Sequence, residues 1–177
     1  IADGTNLKRS LFLSTQVVDL KTPAILVINM MDLVKRNGTE IDFVALSESL
    51  GINVITMNAR DGAGLDTLKK AIVSKISIPE NDFIESTDFA PEVVKKIRNS
   101  VKLNSNYAAF QIANNLDGIG FFRDRPERKL KIREILEEHH FEPGKLQAAE
   151  TLRRYEVISE LLKKVTNSKN AIPSRDK

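Results

Sequence analysis

Two short apolar runs that end in polar side chains constrain this chain more than any other feature. Ala24 to Ile28 is continuous, β-branched at Ile25, Val27 and Ile28, and it stops at Asn29-Met30-Met31-Asp32. Ile52 to Met57 is a second run, and it stops at Asn58-Ala59-Arg60 before a glycine-bearing stretch ending at Gly64. Runs of this length and composition fit strands buried on both faces, as in parallel sheets. Helical patterns surround them. One covers residues 6–20, with Thr5 or Asn6 as its cap and Thr22-Pro23 as its stop. Another covers 41–50, with Asp42 near its start and Gly51 just past its end, and a third covers 65–76. Strands separated by helices imply βαβ crossovers and a parallel sheet. Ligands of open parallel sheets sit beyond the carboxyl ends of the strands. Both polar clusters fall there.

After Pro79 the pattern changes. Helical periodicity runs over roughly 91–102, 105–116, 126–140 and 145–166, with breaks at Asp117-Gly118-Ile119-Gly120 and Pro143-Gly144. The expected organisation is an α/β part at 1–79, a linker at 80–90, a helical domain at 91–166 and a polar tail at 167–177. The fold class is therefore α/β, a partial parallel sheet followed by an all-α domain. Hydrophobic residues make up 41% of the 177, enough to bury a core. Cysteine is absent, so there is no disulfide framework and no thiolate metal site. No apolar stretch approaches the roughly 20 residues that span a bilayer. A net charge of +3 permits contact with nucleic acid or an anionic membrane but argues for neither. Ile1-Ala2-Asp3 reads like the end of a buried strand running into a loop, and the chain is expected to be a portion of a longer polypeptide.

The residue types at the two strand ends suit guanine. That base presents N1–H and its 2-amino group as neighbouring donors, and one carboxylate can accept from both. An amide beside it can donate to N7 and brace the adjoining loop, and a backbone N–H from a second loop can donate to O6. Asn29, Asp32 and the Asn58-Ala59-Arg60 loop supply this set. Adenine would place an amino group where O6 should be, and a site of fixed partners rejects such a mismatch strongly. Asn-x-x-Asp alone is usually a loop or cap signal; its pairing with a second strand, a glycine loop and a helix is far more specific.

These segments resemble the fourth and fifth guanine-nucleotide motifs of translation-factor-type GTPases, written NKxD and SAK. More narrowly, "DGTNLKRSLFLSTQVVDL", "INMMDL" and "NARDGAGLDTLKKAI" are similar to the FeoB family of bacterial ferrous iron transporters, and "RRYEVISELLKKVT" to that family's last cytosolic helix. The resemblance implies a partial P-loop GTPase-type sheet followed by a helical spacer domain. It implies that Asn29 and Asp32 read the base, and that Met30 stands where lysine is usual and packs beside it. The Ala59 N–H would meet O6, and Arg60 would cover the base face. Asn58 stands where serine is typical, which leaves the bracing of that loop open. The implied ligands are GTP and GDP, with Mg²⁺ and K⁺ acting in the intact protein through residues absent from this chain. No G-x-x-x-x-G-K-[ST] occurs here, because Gly144-Lys145 is followed by Leu146. This chain alone is expected neither to hydrolyse GTP nor to bind it tightly, because base contacts are only a fraction of nucleotide affinity; the intact protein is expected to hydrolyse it. The implied partner is a membrane transport domain of the same polypeptide, at the cytoplasmic face of the bacterial inner membrane. Nucleic acid is not expected as a partner, and assembly into a homo-oligomer stays open.

Other features read more plainly. His139-His140 amid glutamates lie on different helix faces, and a histidine near a helix end is favoured by the dipole alone. The basic run from Arg123 to Arg133 is interrupted by Asp124 and Glu127 and reads as a solvated helix face. Tyr107, Phe110 and Tyr155 are expected in the core. Asp61–Gly64 and Asp117–Gly120 read as turns. Two alternatives remain: an RNA- or ribosome-associated GTPase, and a non-enzymatic helical coupling module.

Overall fold

The computed structural model describes residues 1–168. Three parallel strands form the sheet: β1 (Ala2–Asp3), β2 (Ile25–Asn29) and β4 (Asn53–Thr56), in the order β1-β2-β4. Asp3 lies opposite Asn29, and Ile28 lies opposite both Ala2 and Thr56. The crossovers are helical, as the sequence pattern requires. α1 (Leu7–Asp19) joins β1 to β2, and α3 (Phe43–Leu50) precedes β4. Asp42 caps α3 by accepting from Ala45 N at 2.9 Å, and Gly51 closes it with φ +64°. α4 (Leu65–Val73) follows the glycine loop and is shorter than its periodicity suggests.

Two elements between β2 and α3 lie outside the periodic pattern. α2 (Met31–Arg36) is a six-residue helix, and β3 (Thr39–Ile41) pairs with a distant partner. That partner is β5 (Thr166–Ser168), antiparallel to it, with Ile41 opposite Thr166. The Asp42 N–H also donates to Val165 O at 2.8 Å. Residues 166–168 therefore depart from both the helix expected to reach 166 and the tail expected from 167. Residues 169–177 lie outside the described residues.

The helical part comprises α5 (Pro91–Val101), α6 (Asn106–Asn114), α7 (Pro126–Glu138) and α8 (Pro143–Val165). Pro143 opens α8 at a first-turn position, so Pro143-Gly144 starts a helix instead of breaking one. Phe110 and Tyr107 are buried as expected, packed with Val94, Ile97 and Ile132 in one core. Tyr155 is not. It is 36% exposed and stacks on Phe12 of α1, with ring centroids 4.6 Å apart. The aromatic face serves as a bridge between helices, and its hydroxyl-bearing edge meets solvent.

α8 has 23 residues, about 35 Å at the usual rise of 1.5 Å per residue, and it spans both cores. Glu150, Arg154, Ile158, Leu161 and Val165 are all buried and recur at helical spacing. The last three pack into the sheet core with Leu11, Ile28 and Leu46. The first two are charged and fully buried. Arg154 Nε donates to Glu150 Oε1 at 2.7 Å, and Arg154 Nη2 lies 2.7 Å from Asp19 Oδ2 at the end of α1. The Tyr107 ring lies under the guanidinium, 4.9 Å from its centroid. The Asp19 carboxylate also accepts from the backbone N–H groups of Phe83 and Ile84. Burial pushes the Asp19 carboxyl above its usual range, against the downward pull of Arg154 and the Phe83 N–H. Burial, with Glu150 close by, likewise raises the Tyr107 phenol. Residues 80–90 are thus tied down in their middle, with Ile84 and Ser86 buried.

Two outcomes follow. Arg154→Ala should strand two buried carboxylates and cost about 3–5 kcal/mol in urea unfolding, against less for Arg154→Met paired with Glu150→Leu, which strands Asp19 alone; equal losses would mean the Glu150 charge is incidental. Thermolysin should cut first among the exposed residues 72–78, which include Ile72, Val73 and Ile78. Early cleavage at Phe83 or Ile84 would mean the Asp19 contacts do not hold that segment.

Candidate nucleotide-base site

The polar end of β2 is built by one unusual backbone residue. Met30 follows Asn29 with φ 63° and ψ 34°, a left-handed conformation that few residues other than glycine adopt. Its carbonyl accepts from Leu33 N at 3.0 Å and from Val34 N at 3.2 Å, so the reversal starts α2 directly. Asp32 is thereby set in the first turn of α2, where a carboxylate is favoured by the unpaired N–H groups. Among the described residues Asp32 has no hydrogen-bond or ion-pair partner. Gly4 allows β1 to end against this corner. A Cβ there would sit 2.9 Å from Asn29 O and 2.8 Å from Val34 Cγ2.

The loop after β4 comes to meet it. Asn29 Oδ1 accepts from Ala59 N at 2.9 Å, joining the two strand ends across 30 residues of sequence. The loop closes on itself, with Asn58 N donating to Ala63 O at 2.9 Å and Gly62 N to Asn58 O at 3.0 Å. Asn58 Nδ2 donates to Asp61 Oδ2 at 2.7 Å, and Ala63 N donates to Asp61 Oδ1 at 3.0 Å. Gly64 ends the loop with φ +86°, where a Cβ would lie 2.2 Å from Thr56 O. No other residue fits that position.

The six residues expected at the site therefore gather at one sheet edge. Asn29, Asp32 and Asn58 are half-buried, whereas Met30, Ala59 and Arg60 are exposed. Asp32 and Asn58 share a groove of about 470 Å³ with Lys35 and Asp61, which the other four do not line. A cavity of about 560 Å³ along α1 and β2 is lined by none of the six. In one respect the geometry differs from expectation. The Ala59 N–H, expected to be open for O6, is already engaged by Asn29. Asp61 was missed by the motif and read only as a turn, although Asn-x-x-Asp-Gly carries the signature of a side-chain-closed turn. His139 has only Glu138 within ion-pair range, at 3.8 Å, and no cluster of three metal-ligating side chains occurs among the described residues.

Comparison with known proteins agrees with this fold. Residues 1–72 match the FeoB_N family model, described as ferrous iron transport protein B. The Fe(2+) transporter FeoB of Salmonella typhimurium is 32% identical over 96 residues, which is 54% of this chain and 12% of that protein. The FeoB of Escherichia coli K12 is 38% identical over 72 residues, 41% of this chain and 9% of that protein. The chain thus spans about a tenth of the length of the relatives it matches. The crystal structure of the cytosolic domain of T. maritima FeoB in its apo form superposes with a TM-score of 0.72 at 21% identity, covering 94% of this chain and 66% of that one. The same domain in its GMPPNP form gives 0.70 at 23% identity, with the same coverage. The FeoB cytosolic fold extends across the helical part as well as the sheet. The resemblance drawn from the motifs and the α/β fold class both hold.

If Asn29 fixes the second loop through its amide oxygen, Asn29→Ala should speed hydrogen exchange at the Ala59 amide by roughly tenfold, the loss of one hydrogen bond worth about 1 kcal/mol or slightly more. Asp32→Ala should leave that amide unchanged. Exchange followed by NMR decides it, and equal protection in wild type and Asn29→Ala would remove Asn29 from this role.

Proposed function

We propose that this chain carries the guanine-reading part of a FeoB-type ferrous iron transport protein. In the whole protein it would serve GTP binding and hydrolysis linked to Fe²⁺ uptake at the cytoplasmic face of the inner membrane. Mg²⁺ and K⁺ would act there through residues outside this chain, with the transport domain of the same polypeptide as partner. What supports the base assignment is the Asn29 Oδ1 bond to Ala59 N beside an Asp32 carboxylate that no described residue engages. Asp32 accepts from guanine N1–H and the 2-amino group. The Asn29 amide nitrogen faces N7, and the Ala59 N–H turns from Asn29, or is shared with it, to meet O6. Met30 and Arg60, both exposed, flank the base plane. FeoB cytosolic domains are known in GDP and GMPPNP forms, which supports a guanine nucleotide as the ligand.

The buried Arg154 contact supports a coupling role for the helical part, since it fastens α8 to α1 beneath the same sheet. Asp32→Asn tests the base reading. Xanthine has a carbonyl where guanine has its 2-amino group, so an amide at 32 pairs better with it than a carboxylate does. GDP binding, followed by NMR titration of the Asn29, Ala59 and Arg60 amides, should weaken by roughly 1–3 kcal/mol. Preference should shift toward xanthosine diphosphate while circular dichroism stays unchanged. A variant that keeps the guanine preference would remove Asp32 from the base.

A further inference from the structure

Ala59 and Arg60 are exposed, and packing alone does not hold them. Two sets of bonds do: one from Asn29 across the edge, and one within the loop centred on the Asp61 carboxylate. Its Oδ2 takes the Asn58 amide and its Oδ1 takes the Ala63 N–H, so the same side chain grips the loop at its first and last residues. A backbone rung from Asn58 N to Ala63 O lies beside it. Serine at position 58 would end at a hydroxyl one carbon from the backbone, too short to repeat this bridge without moving the loop. The Asn58–Asp61 pair therefore braces the loop from within.

We infer that Asp61 is a positioning residue for guanine-nucleotide binding: it touches no base itself, and it sets affinity by holding the Ala59 N–H where O6 arrives. The inference rests on the base reading proposed above. A loop already closed when the nucleotide arrives does not have to be ordered at that moment, and the ordering cost does not subtract from affinity. The carboxylate is specific to this task. An amide at position 61 would leave both bonds without charge assistance, and would keep both only if the Asn58 amide flipped to offer its oxygen.

The test uses the 177-residue chain with GDP and inosine diphosphate, titrated by NMR at the Ala59, Arg60 and Asp32 amides. Both bases carry O6, and only guanine carries the 2-amino group. Asp61→Asn should weaken both nucleotides by the same factor, roughly five- to tenfold for one lost charge-assisted hydrogen bond. Asp32→Asn should weaken GDP more than inosine diphosphate. Asn58→Ala removes one of the two Asp61 bonds and should lose no more than Asp61→Asn, and the double variant should fall short of the product of the two losses, because the residues share a contact. The unfolding midpoint of each variant serves as the control for a merely structural effect. Unchanged GDP affinity in Asp61→Asn would overturn the inference, as would losses that multiply in the double variant or a loss seen with GDP only. If wild type shows no shift at Ala59 or Arg60 with GDP, the base reading itself fails and takes this inference with it.

Discussion

Everything in this fold leans on the last turn of α1. Asp19 ends that helix with a fully buried carboxylate, and three separate stretches of chain come to this residue. The 82–84 segment donates two backbone N–H groups, Arg154 of α8 approaches from the other side, and Ser105 at the start of α6 donates to the Asp19 carbonyl. An uncompensated charge in this position would be costly, so the surrounding chain has little freedom to sit elsewhere. A well-packed apolar side chain could match the stability. It could not specify the direction from which each of the three stretches must arrive.

The same helix reaches the other end of the molecule. α1 begins after the turn at Gly4–Asn6, which follows Asp3, and Asp3 lies in register with Asn29. Its thirteen residues therefore run from the base edge to the buried cluster as one rigid rod, about 20 Å at the usual rise. α8 returns toward the base edge on the outside, and its continuation pairs with β3, directly after the helix that carries Asp32. Sheet and helical part are thus joined at the Asp19 end of α1, and α8 is tied to β3 beyond its other end.

What the sequence discloses of this arrangement depends on how local the cause is. β2, β4, α1 and α3 are visible because periodicity, the Asp42 cap and the Gly51 stop are local signals. α2 and β3 are invisible for the opposite reason. Six residues started by a strained Met30 carry no period, and three residues held by a strand more than 120 positions away carry no propensity of their own. Glu150 and Arg154 look like any exposed i, i+4 pair on a helix, and nothing in their spacing says that they face inward. At the site, Asn29, Asp32 and Ala59 were legible as a motif. Bracing of the adjoining loop by Asn29 was legible too; that it occupies the Ala59 N–H, and that Asp61 bridges Asn58 and Ala63, were not, because a motif records which atoms a ligand needs and is silent on what they do beforehand.

α4 shows what this leaves unsupported. None of its nine residues is buried, and Leu65, Ile72 and Val73 are open to solvent. A helix this short is marginal in water without a packed face, since nucleation costs more than so few turns return. Its first turn grows out of Gly64, the residue that closes the 58–63 loop. On warming, α4 frays well before the cores melt, and the loop loses its downstream anchor as it does so. The hold on a base at this edge would then fade over a lower temperature range than the fold itself, leaving an intact protein with a loosened site.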